Sequence, residues 1–156
     1  MKIRLIWIGK EDGDIFDAAI RQYVQKISYY TVFETVAIPY LKNTKNLSID
    51  EQKKKEGELI LKKIEPSDYV LLLDERGKEY TSLQFSKFIQ QLANNGLKAV
   101  DFVIGGPYGF SEAVYARQNA QMALSKFTFQ HIMSRLIMVE QLYRAFTILH
   151  GEPYHH

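Results

Sequence analysis

Apolar residues change rhythm repeatedly along this chain, and the changes predict alternating strands and helices. Ile3 to Ile8 is an almost unbroken apolar run, which reads as a buried strand. Asp14 can cap a helix whose apolar positions Phe16, Ile20, Tyr23 and Ile27 recur at helical spacing. Thr31 to Pro39 alternates as a second strand. Ser48 and Glu51 form a capping-box signature before a lysine-rich helix with Leu59, Ile60 and Ile64 on its apolar side. Pro66-Ser67-Asp68 turns the chain into Tyr69-Val70-Leu71-Leu72-Leu73, an apolar run suited to a central parallel strand. Ser82 starts a third helix with Phe85, Phe88, Ile89 and Leu92 inward, and Asn94-Asn95-Gly96 ends it. Val100 to Ile104 is the next strand. A glycine bend and a short helix lead to Gln121-Met122-Ala123-Leu124, and a final helix covers about Ile132 to Leu149.

Strands separated by helical segments imply crossover connections and a parallel sheet covered by helices on both faces. No linker, repeat or low-complexity tract interrupts the pattern, so residues 1–156 read as one α/β domain. The last helix differs from the others. Ile132, Met133, Leu136, Ile137, Met138, Val139, Leu142, Tyr143, Phe146, Ile148 and Leu149 circle most of its circumference. A helix apolar nearly all round is buried on more than one side. One side can face the sheet and the other a second copy, so a homodimer is expected.

Composition adds mainly exclusions. No apolar run reaches the ~20 residues that a membrane span needs. The start, Met1 to Trp7, already alternates like a strand and has no small-residue cleavage site, so no signal peptide is expected. The absence of cysteine removes disulfides, thiolate metal sites and a cysteine nucleophile, in keeping with an expected cytoplasmic location. The net charge of +2 permits nucleic-acid binding without announcing it. The densest basic run is Lys53-Lys54-Lys55, flanked by Lys42, Lys45 and Lys62-Lys63 and offset by Glu51, Glu56 and Glu58. It fits a solvated helix face and an RNA footprint equally well.

The chemistry concentrates at two strand ends, Leu73-Asp74-Glu75-Arg76-Gly77 and Ile104-Gly105-Gly106-Pro107-Tyr108-Gly109. Ligands of parallel α/β sheets bind beyond the carboxyl ends of the strands. Pro107 and Phe110 break the dinucleotide fingerprint, and no phosphate loop of the Walker type is present. The bend is therefore either a tight turn or a close backbone approach to something other than a pyrophosphate. No G-x-S-x-G elbow is present. His155-His156 has no further ligand at motif spacing, so no metal is expected. Glu140 and Arg144 stand one turn apart in the order that favours an ion pair.

Five motifs then fall in one order along the chain. They are Leu73-Asp74 with Gly77-Lys78, Ile104-Gly105-Gly106-Pro107 with Gly109, Leu124 to Phe129 with His131, Glu140-Gln141-Leu142-Tyr143-Arg144-Ala145, and Pro153-Tyr154-His155. Together they resemble the SPOUT-class pseudouridine N3-methyltransferases of the bacterial large ribosomal subunit, the RlmH or YbeA-like family. The resemblance implies S-adenosylmethionine as methyl donor, a homodimer and a SPOUT-type α/β fold with a C-terminal trefoil knot. It also implies a substrate, a pseudouridine of 23S rRNA in the assembled ribosome.

On matching positions, the resemblance implies cofactor contacts at Leu73, Gly105, Leu124, Ser125, Lys126, Phe127, Thr128 and Phe129. Its candidates for assisting loss of the N3 proton are His131, Glu140 and His155; Arg144, Tyr154, His155 and His156 are its RNA-contact candidates. One departure stands out, because members often carry arginine or lysine after Pro-Tyr-His where this chain has His156. A non-catalytic ribosome- or RNA-binding protein of the same fold is the alternative. A nucleotide-binding domain acting on a metabolite is disfavoured by the failed motifs.

Overall fold

The computed structural model describes residues 1–10 and 15–156, so the expected Asp14 cap lies outside the described residues. Strands are β1 (Lys2–Ile8), β2 (Phe33–Ile38), β3 (Tyr69–Glu79), β4 (Ala99–Ile104) and β5 (Ala120–Ala123). Helices are α1 (Ile15–Ile27), α2 (Ile49–Leu61), α3 (Ser82–Asn94), α4 (Glu112–Arg117) and α5 (His131–Leu149), with a 3-10 turn at Thr44–Asn46. The five strands form one parallel sheet in the order β2-β1-β4-β3-β5.

Strand alternation divides the core in two. Ile3, Leu5, Trp7, Leu71, Val100, Phe102 and Ile104 pack with residues of α1, α3 and α5 on one face. Ile6, Ile8, Val70, Leu72 and Val103 pack with Ile60 of α2 and Val114 of α4 on the other. Both faces are therefore covered, and every residue of the central strand β4 is buried. Connections that step toward β2 carry α1 and α3, whereas those that step toward β5 carry α2 and α4. A single handedness of crossover requires this split.

The helix starts follow local chemistry. Ser48 and Glu51 make the expected capping box. The third helix has one too, with Thr81 as cap and Gln84 as its partner, one residue before the start read from the sequence. At the amino end of the sheet, Arg4 holds Asp101 through two hydrogen bonds of 2.7 and 2.6 Å and Asp68 through one of 2.7 Å. Burial pushes the Asp101 carboxyl up, with Arg4 opposing it. This network anchors β4 at its base and leaves its carboxyl end to carry the bend.

The main surprise is β3. Its ladder with β5 runs from Leu71 to Leu73 and resumes at Lys78, so residues 74–77 stand out of register. Such bulges commonly re-aim side chains beside a site.

Candidate active site

The bend after β4 is built from close contacts. Gly109 has φ 84, a left-handed conformation that favours glycine, and its N–H donates to the Gly106 carbonyl at 3.1 Å. Gly106 has no room for a side chain, since a Cβ there would stand 1.9 Å from Glu56 Oε2. Behind Gly105 the space is filled by the Phe110 ring, whose atoms would lie 3.1–3.3 Å from a Cβ. Ser111 then accepts from the Val114 N–H and opens α4.

A cavity of about 190 Å³ lies beyond the carboxyl ends of β3 and β4. Its lining includes seven of the residues singled out in the sequence for cofactor contact: Leu73, Gly105, Leu124, Ser125, Phe127, Thr128 and Phe129. Lys126 is not part of the lining; its side chain is exposed. Asp74, Glu75, Ile104, Gly106 and Gly109, which belong to the two strand ends singled out in the sequence without a contact of their own, also line it, as do Phe110 and Ser134, to which sequence reasoning gave no site role. Asp74 and Glu75 are in the β3 bulge, whose irregular pairing depends on the partner strand; the end of the apolar run at Leu73 marked their place in the sequence, not the bulge.

The electrostatics are one-sided. None of the described lining residues is a lysine or arginine, whereas Asp74 and Glu75 contribute carboxyls. Burial works against the Asp74 charge, but hydrogen bonds from Arg76 and Tyr115 outweigh it and hold this carboxyl below its ordinary value. The Arg76 guanidinium lies 5.1 Å over the Tyr115 ring. His131 also lines the cavity, at the start of α5, where burial and then the Arg135 charge lower its pKa and favour the neutral imidazole. Such a space suits a cationic ligand with an apolar part against Leu73, Ile104 and Leu124 better than a phosphate.

The remaining candidates form a second group. Glu140 accepts from Arg144 at 2.5 and 3.1 Å, from Tyr154 Oη at 3.1 Å and from the Gln141 amide at 2.8 Å. Arg144 reaches His155 Nδ1 at 3.2 Å and lies 4.7 Å over the Tyr154 ring. Burial, then bonding to Tyr23 and the Glu140 charge, raise the Tyr154 pKa. His156 is exposed beyond this group. Arg144 lies thirteen positions after His131 on α5, or about 20 Å along the axis. One chain therefore gathers His131 into the cavity and Glu140, Arg144, Tyr154 and His155 elsewhere.

Among the described residues, no group of three or more His, Cys, Asp or Glu could hold a metal ion. No described helix is long and apolar enough to cross a membrane.

Comparison with known proteins bears on this arrangement. A family model described as "Predicted SPOUT methyltransferase" matches residues 1–155. The chain is 55% identical to the Ribosomal RNA large subunit methyltransferase H of Parabacteroides distasonis, over 100% of this chain and 99% of that protein. The proteins of the same name from Christiangramia forsetii and Flavobacterium johnsoniae are 55% and 51% identical, with the same coverage.

Proposed function

The chain belongs to the SPOUT methyltransferase family, and from that premise we propose that it methylates large-subunit ribosomal RNA at N3 of a pseudouridine in 23S rRNA of the assembled ribosome. The observation that carries this reading is the convergence of the 73–75, 104–110 and 124–131 segments on one cavity with acidic and apolar walls. A non-catalytic RNA-binding protein has no use for such a cavity and is not favoured.

S-adenosylmethionine fits these walls by its chemistry, and when bound it supplies an activated methyl on a sulfonium. Leu73, Ile104 and Leu124 offer apolar surface for the adenine, while Asp74 and Glu75 complement positive charge. Ser125 and Thr128 offer hydroxyls that can orient the donor. Because the methyl is already activated, holding the two reactants in line supplies much of the rate, up to ~7–11 kcal/mol in favourable cases. The remaining demand is the proton on N3. His131, neutral and in the cavity wall, accepts it in this reading.

Arg144, Tyr154, His155 and His156 are left for the RNA, by phosphate pairing and base stacking. In this reading a second copy brings its tail group to the nucleotide and a homodimer shares the site, a reading supported by the rise of about 20 Å along α5 between His131 and Arg144. Half-buried Met133 and Ile137, one turn apart on α5, provide apolar surface for that contact. The reading includes a C-terminal trefoil knot, which would hold residues 124–129 against the glycine bend.

The test is to incubate the protein with methyl-labelled S-adenosylmethionine and either ribosomes or free rRNA lacking the modification, then digest and identify the labelled nucleoside. N3-methylpseudouridine from the ribosome sample is the expected product. Ribosome binding without transfer would overturn the reading in favour of the non-catalytic alternative.

A further inference from the structure

The reaction makes no use of Glu56, yet this side chain is only 3% exposed and sits directly behind the cavity wall. It belongs to α2, which packs on α4 and on the apolar face of the sheet under the bend. Among the described residues neither carboxyl oxygen has a hydrogen-bond partner of good geometry. A Cβ on Gly106 would lie 1.9, 2.7 and 2.9 Å from Oε2, Cδ and Oε1. Gly106 itself lines the cavity. One bare glycine thus separates this carboxyl from the space assigned to the methyl donor.

A charged carboxylate without partners is costly in such a place. Burial pushes the Glu56 pKa up, and the Gln52 amide one turn earlier opposes that only in part. Of the other titratable groups on α2 and α4, Asp50, Lys53, Lys54, Glu58 and Glu112 line a separate cavity of about 530 Å³, Glu51 and Lys55 are exposed, Tyr115 bonds Asp74, and Arg117 bonds the Glu65 and Asp68 carbonyls. A glutamine has the shape and volume of this carboxyl but does not titrate, whereas an alanine leaves the space under Gly106 empty.

We propose that Glu56 is a positioning residue for the glycine bend, its carboxyl seated under Gly106 and keeping the cavity wall in the shape that takes the methyl donor. The inference rests on the donor reading of the cavity, and two measurements separate them.

The first needs no ligand. In the full chain labelled with nitrogen-15, the amide signals of Gly106 and Gly109 are followed with pH. They should move together in one step centred above the ordinary glutamate value of 4.5. In Glu56→Gln that step should disappear, and any remaining movement should be the His131 titration, which His131→Gln removes. Signals that do not move, or that move equally in Glu56→Gln, overturn the proposal.

The second is calorimetric titration with S-adenosylmethionine. Glu56→Gln, which keeps the shape under Gly106, should bind like the wild type, whereas Glu56→Ala, which empties that space, should bind about tenfold more weakly or worse. Equal binding by a folded Glu56→Ala overturns the proposal. If the wild type binds no donor while its glycine signals titrate as described, the donor reading fails and the hold of Glu56 on the bend stands.

Discussion

His131 shows how a single residue can be read for both stability and rate. Its folded pKa lies below the ordinary 6.5 because of burial and then Arg135. Between the lowered value and 6.5, the unfolded chain binds a proton that the native protein does not. Stability contributed by this group is thus present above 6.5 and lost as pH falls through the folded value. Thermal melting across that window should show the loss, and His131→Gln should remove this component. If His131 is the base, the variant should also lose about 100-fold or more in methyl transfer, with the acid limb of the rate profile abolished. An unchanged acid limb would assign the proton elsewhere. The role of Glu56 was harder to read, because its sequence context is a lysine run. The available signal was its spacing, four residues before buried Ile60 on the same helix face. What the spacing could not give was the object against which that face packs.

Elements were legible where their ends carry their own chemistry. The box at Ser48 and Glu51 announces α2; α3 starts at Ser82 as read, and Thr81 with Gln84 is a second box that the reading did not use. Ser48→Ala and Thr81→Ala should each cost about 1 kcal/mol, and the double variant should lose the sum, since the two caps share no partner. Chemical denaturation of the three variants checks this, and a double variant no worse than either single one would contradict it. The β3 strand was legible only to Leu73, where its apolar run ends; its continuation to Glu79 is fixed by pairing with β5. That partner is four residues long and half-buried at Ala120 and Gln121, too short and too mixed to declare itself. The β3 bulge was hidden for the same reason, although the strand end that carries its carboxyls was singled out. Long-range pairing decides register, and a local pattern does not contain it.

For the whole molecule, alternation of strands and helices foretold a parallel sheet covered on both faces, and the two-sided core has that form. The family resemblance named seven residues that line one cavity. It could not foretell that the site candidates divide into two groups, because distance along α5 becomes meaningful only once its start is in the cavity. That division has a genetic consequence. In a dimer whose sites each draw the cavity from one copy and the tail from the other, a His131→Gln chain and a chain truncated before Pro153 fail separately for different reasons. Mixed within one dimer, they concentrate both defects in one site and leave the other whole. Co-expression of two dead alleles should therefore restore methylation of the ribosome, and failure of stably mixed dimers to do so would mean that each chain completes its own site.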